Sequence, residues 1–243
     1  MRKIFLAAII VILFALPLSA VTPISAQTQH KALILSPLEA YVPTGYSNNI
    51  KNFLTKSGYQ ITYLTNTAVT LDFLVNHLND YDVVIWRTNV YEWAHQLYWY
   101  VGEVYNSATA QKYASDFAAR RIDNHNGILG MSIDFLSNHF TAGSLRNVKL
   151  AILISSVSST YANIFVSAGV KAVVYCYTYI SLSYSYIDFV TGQLMSYLAN
   201  GQGVGDAVSS TVLPYLTMQA HDPLDSVYFP PFWYLGDATV TIT

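Results

Sequence analysis

Four serines crowd one short run, Ser155-Ser156-Val157-Ser158-Ser159-Thr160. A serine hydroxyl attacks a carbonyl only when a base sits beside it and a third group orients that base. His95 is the imidazole that follows most closely on a candidate strand end, and Arg87, Glu92 and Asp134 are polar groups that can orient it. Ser156 with His95 is therefore the hydrolase pair this sequence offers. The same hydroxyls equally suit loop solvation, and Ser159 or Thr160 suits a helix N-cap. His221-Asp222 is a second His/acid pair, but Pro223 follows and the triplet reads as a surface turn. Cys176 is the only cysteine, in the strand-like run Lys171-Ala-Val-Val-Tyr-Cys-Tyr-Thr178. It forms no intrachain disulfide and reads as a buried structural thiol.

No metal or cofactor is expected. His77, His95, His125, His139 and His221 show no i, i+4 pairing and no cysteine partner. Asp123-Asn124-His125-Asn126-Gly127 lacks the spaced acids of a calcium loop and reads as a turn. Gly201-Gln-Gly-Val-Gly205 follows a helix rather than a strand, so it reads as a helix C-cap and tight turn, not a phosphate loop.

Those residues need elements to position them, and the chain supplies an alternation. Lys31-Ala-Leu-Ile-Leu-Ser36 is a first strand, and 46–57 has helical spacing ending at Gly58. Residues 59–64 alternate like a second strand, and Thr70 caps a helix running to Asn79. Residues 81–86 form a third strand, apolar on both faces as in a covered parallel sheet. The segment 89–125 is less regular, with a small strand at 127–133 and a short helix at 134–139. A fourth strand at 148–154, a helix at 161–168 and a fifth strand at 170–177 follow. Helices at 188–199 and 205–213 come next, the second stopped before Pro214, and 238–242 reads as a last strand. This order implies a three-layer α/β sandwich with a mostly parallel central sheet of about six strands.

Of 243 residues, 53% are hydrophobic and 11% are charged. Soluble domains average about 25% charged, and disordered chains more, so a disordered protein is excluded. Lys+Arg 12 against Asp+Glu 14 leaves no basic excess for nucleic acid. Twenty tyrosines and many Ser, Thr and Asn must supply the polar surface. Met1-Arg2-Lys3, an apolar run to about Ala20 and the small-residue groups Leu18-Ser19-Ala20 and Ile24-Ser25-Ala26 form a secretory signal layout. The expectation is a signal peptide at 1–26 and one domain at 27–243, secreted or extracytoplasmic, with no membrane contact beyond that segment. An uncleaved anchor is the alternative. Without Arg2 and Lys3, 10 basic and 14 acidic groups remain.

Ligands in open α/β sheets gather beyond the carboxyl ends of the strands. Three ends matter here: Trp86-Arg87-Thr88-Asn89, Ser155 to Thr160, and Tyr177-Thr178-Tyr179. Around them the chain resembles the caspase-like cysteine peptidase fold, in its gingipain and CHAT branch. The matching pieces are Asp82-Val-Val-Ile-Trp-Arg-Thr-Asn89, Leu150-Ala-Ile-Leu-Ile-Ser-Ser-Val157 and Phe165-Val-Ser-Ala-Gly-Val-Lys-Ala-Val-Val174. Leu198-Ala-Asn-Gly-Gln-Gly-Val-Gly-Asp-Ala207 and Phe232-Trp-Tyr-Leu-Gly-Asp-Ala-Thr-Val-Thr-Ile242 complete them. The resemblance implies the caspase-like fold over nearly all of 27–243. The family's His position falls on Asn89, or on Thr88, and its Cys position on Val157, or on Ser156. Valine has no nucleophile and asparagine does not titrate, so the resemblance implies an inactive relative.

Aromatic groups remain at the mouth. Trp86, Arg87, Trp93, Tyr177 and Tyr179 are the candidate binding residues, since Trp and Tyr give contact area at low entropy cost. The expected partner is a peptide, a glycan or a cell-envelope component. An active serine hydrolase and a structural envelope protein are the alternatives.

Overall fold

The computed structural model describes residues 29–41, 46–155, 159–176, 184–219 and 232–243. The expected signal peptide, 1–26, lies outside the described residues. The strands are β1 Lys31–Ser36, β2 Gln60–Thr65, β3 Val83–Arg87, β4 Val90–Trp93, β5 Gln96–Val104, β6 Ile122–His125, β7 Ile128–Ser132, β8 Leu150–Ile154, β9 Ala172–Cys176 and β10 Phe232–Gly236. The α-helices are α1 Tyr46–Lys56, α2 Leu71–His77, α3 Ser107–Lys112, α4 Ala114–Ala118, α5 Ile133–His139, α6 Ser159–Ser167, α7 Tyr184–Ala199 and α8 Val204–Gln219.

Every residue of β3, β8 and β9 is buried, which is why these runs, Arg87 apart, are apolar without alternation. They lie inside a six-stranded sheet of order β2-β1-β3-β8-β9-β10. Its first five strands are mutually parallel, and β10 runs antiparallel along β9. One face, with Ile34, Ile85, Ile152 and Val174, packs against Ile50 and Leu54 of α1, Leu194 and Leu198 of α7, and Val208 of α8. The other face, with Leu33, Val84, Trp86 and Leu153, packs against α2, α5 and α6 through Leu74, Phe135 and Phe165. Thr70 caps α2 as expected, accepting from the Phe73 N–H at 3.1 Å. Among the described residues no helix is long and apolar enough to cross a membrane.

Three sequence expectations need correction. The segment 89–125 is regular. With β7 it builds a second, antiparallel sheet of order β4-β5-β7-β6. Trp99, Val101, Ile122, Leu129 and Met131 on its inner face join the core beside α2, α5 and α6. Its hairpins turn through Ala94-His95 and Asn126-Gly127, all four at positive φ, the two-residue geometry that matches strand twist. Asn-Gly announces such a turn and Ala-His does not, so the first hairpin was hidden.

The last strand is β10, not 238–242. Gly236, at φ 89°, lies against the Lys171 carbonyl and ends it, and the chain then tucks Val240 and Ile242 into the core. Finally, α8 runs through Pro214 to Gln219. An internal proline removes one helical hydrogen bond, but it does not oblige a helix to stop.

At the amino ends of β1, β3 and β8, one carboxylate ties the strands. Asp82 accepts from the Lys31 N–H at 2.9 Å and pairs with Lys149 Nζ at 2.9 Å. Partial burial pushes its pKa up, but the Lys31 hydrogen bond and the Lys149 and His30 charges outweigh that, so it sits below the ordinary range. A depressed carboxylate stabilises the fold above its unfolded pKa, near 4, and the contribution disappears as pH falls through the folded value. Urea unfolding from pH 6 to pH 2 should therefore show an acid loss of stability that is smaller in Asp82→Asn.

Candidate functional site

The carboxyl ends of β1, β3 and β8 lie side by side, with Leu35 opposite Trp86 and Arg87 opposite Ile154. Side chains alternate across these ends, so neighbouring residues enter different environments.

On the α7 side, Arg87 is 3% exposed, and its Nη2 lies 2.7 Å from Asp188 Oδ1 in the first turns of α7. Ser36, at the end of β1, donates to Glu39 Oε2 at 2.6 Å. Burial pushes the Tyr63 phenol up to about 12; Glu39 adds to this, while Ser47 and Arg87 oppose it. Burial also raises Asp188, with Arg87 pulling it down and Glu39 pushing it up. Arg87 thus pairs with Asp188, while Glu39 acts on both Tyr63 and Asp188. Sequence reading found Arg87 and missed its companions. The available signal was a lone cation in a strand buried at every position, which demands a counter-ion.

On the other side, Trp86 is fully buried and meets Trp99 edge-on, with ring centroids 5.3 Å apart. Trp99 stacks on Tyr161 at 4.9 Å. Trp86 therefore offers no surface to a ligand, and its place among candidate binding residues is corrected. Arg87 is corrected as a direct contact on the same ground, being buried against α7. Of the expected binding set, Trp93 is exposed, at 60%, near the tip of the β4–β5 hairpin. Tyr177 and Tyr179 lie outside the described residues, as do Ser156, Ser158, Val157 and the His221-Asp222 pair.

The polar groups at the β3 end are engaged in shaping the chain. Thr88 Oγ1 donates to the Tyr100 carbonyl at 2.7 Å, and its N–H donates to the Ile154 carbonyl at 3.0 Å. Asn89 is exposed, and its Oδ1 accepts from the Val90 N–H at 2.9 Å, opening β4. Ser155 is buried, and among the described residues its hydroxyl has no hydrogen-bond partner, so no described imidazole engages it. His95 sits fully exposed in the β4–β5 turn, its Nδ1 3.9 Å from Glu92 Oε1. The structure thus does not bring His95 to Ser155. Asp134 accepts instead from Gln96 Nε2, at 3.2 Å. Cys176 is buried, and burial pushes its thiol up to about 12, away from the reactive thiolate. Among the described residues, no group of three or more His, Cys, Asp or Glu is placed to hold a metal ion.

No family model matches the sequence. No curated protein matches it. Among solved structures, similarity is found to a phosphomethylpyrimidine kinase-like protein from Bacteroides thetaiotaomicron, at 10% identity and TM-score 0.35, over 85% of this chain and 99% of that one. A structural-genomics protein from Geobacter sulfurreducens matches at 12% identity and TM-score 0.44, over 87% of this chain and 97% of that one. At these scores neither likeness carries an assignment of fold family or activity.

Proposed function

We propose that this chain is a secreted, catalytically inactive caspase/gingipain-like domain. It holds a peptide, glycan or cell-envelope partner at the carboxyl edge of its central sheet. The observation that carries the reading is the pairing of β3 with β8, Arg87 opposite Ile154. The resemblance puts the family's imidazole just beyond the first of these ends and its thiol just beyond the second. A proton-transfer pair needs that adjacency. This chain has Asn89 or Thr88 at the first position and Val157 or Ser156 at the second. The Thr88 hydroxyl and the Asn89 side-chain oxygen are committed to backbone partners, and neither group titrates near neutral pH.

A serine-reactive fluorophosphonate probe and a peptidyl acyloxymethyl ketone test this directly. The wild-type protein should be labelled by neither. The folded double variant Asn89→His/Val157→Cys should gain labelling by the ketone. Fluorophosphonate labelling that disappears in Ser156→Ala would make the chain a serine hydrolase and overturn the inactive reading. A folded double variant that stays unlabelled would count against the caspase-like alignment.

A further inference from the structure

The second sheet has an outer face that the central core does not use. Register places Tyr91 beside Tyr98, Trp93 beside Gln96, and Tyr100 and Asp123 beside Gly130. The Tyr91 ring crosses this face from the edge strand. A side chain at Gly130 would overlap it, and its hydroxyl reaches Asp123 Oδ2 on β6 at 3.3 Å. It packs on Tyr98, Tyr100 and His125 with ring centroids 5.4, 4.7 and 4.4 Å away. The stripe ends at the Trp93 indole, exposed in the hairpin beside Gln96.

We propose that this outer face binds a neutral oligosaccharide, with the Trp93 indole stacking on a sugar ring and Gln96, Asp123 and Asp134 taking its hydroxyls. Charge speaks against an anionic occupant. β4, β5, β6 and β7 contain no lysine or arginine, so nothing on their surface attracts a phosphate, sulfate or uronate. Around Tyr98, the Asp123 and Asp134 carboxylates outnumber Arg120, and such acceptors suit the hydroxyls of a sugar. Aromatic area beside hydrogen-bonding groups fits a ligand with an apolar CH face and a polar rim. An exposed indole adds contact area at low ordering cost. The left-handed backbone of Ala94 and His95 holds Trp93 and Gln96 opposite each other.

The inference rests on reading the chain as a binding domain, but not on its caspase-like alignment, and the two can fail separately. The secreted protein is applied to an array of neutral oligosaccharides that includes β-linked glucose and N-acetylglucosamine oligomers, with neutral and basic peptides alongside. Hits are titrated by isothermal titration calorimetry. At least one neutral oligosaccharide should bind. Trp93→Ala should weaken it tenfold or more, and Trp233→Ala on β10 should leave it unchanged. Trp93 is 60% exposed, so its removal should leave the thermal melt unmoved. The inference is overturned if no neutral oligosaccharide binds, if Trp93→Ala binds as tightly as wild type, or if only peptides are retained.

Discussion

Replacing Arg87 by alanine is expected to destabilise the domain by about 3–5 kcal/mol, the scale on which breaking one side of a buried ion pair acts. Arg87 stands at the end of the central strand β3 at 3% exposure, and its partner Asp188 has a side chain only 17% exposed. Without the guanidinium, the Asp188 carboxylate stays largely out of water and faces Glu39 unopposed. It must then take up a proton or pull α7 away from β3. The expected signature in urea unfolding is a lowered midpoint and a stability that recovers as pH falls and Asp188 is protonated. The double substitution Arg87→Met/Asp188→Leu should cost much less than Arg87→Ala, because it leaves no buried charge behind. If the single and the double variant unfold alike, the pair is not what holds α7 to the sheet.

Gly102→Ala is expected to cost at least about 3 kcal/mol, at or beyond the upper end of ordinary overpacking. Gly102 lies on β5 where that strand crosses the loop leading to α2, and its N–H donates to the Val69 carbonyl at 2.8 Å. A Cβ there would overlap the carbonyl of Asn66, which is backbone and has no rotamer to escape through. The loop itself is constrained, since Asn66 already sits at φ 47°. The second sheet would have to lift from the core, which makes two readouts move together. Global stability should fall, and Trp99, fully buried in the wild type, should become accessible to a fluorescence quencher. A melt within 1 °C of wild type would show that the loop yields and the sheet docks loosely.

Much of the core was legible because it obeys local rules. Uninterrupted runs such as Val148-Lys-Leu-Ala-Ile-Leu-Ile154 announce strands covered on both faces, and Thr70 and Gly58 announce helix ends. The second sheet was not legible. Its strands carry aromatic groups on both faces, Trp99 and Val101 inward, Tyr98 and Tyr100 outward, so the alternation of apolar and polar residues that marks a half-buried strand is blurred. The Ala94-His95 turn added to this, being a two-residue hairpin without glycine or asparagine.

The candidate site divides in the same way. The sequence identified the strand ends that matter and the residue types on them, because those follow from spacing along one chain. It also put Asn and Val in the two positions that the resemblance marks for chemistry. Which side chains face a ligand was decided by packing. Trp86 and Trp93 are seven residues apart and read alike in the sequence. One lies fully buried on the central strand of a sheet covered on both faces, and the other is 60% exposed on the edge strand of a second sheet. Arg87 likewise reads as a charge free to meet a ligand, until a helix about 100 residues further along the chain brings Asp188 to it. A sequence determines local periodicity and chemical inventory. Burial and counter-ions are long-range properties, settled only when distant elements pack and each polar group must find its partner or keep its water.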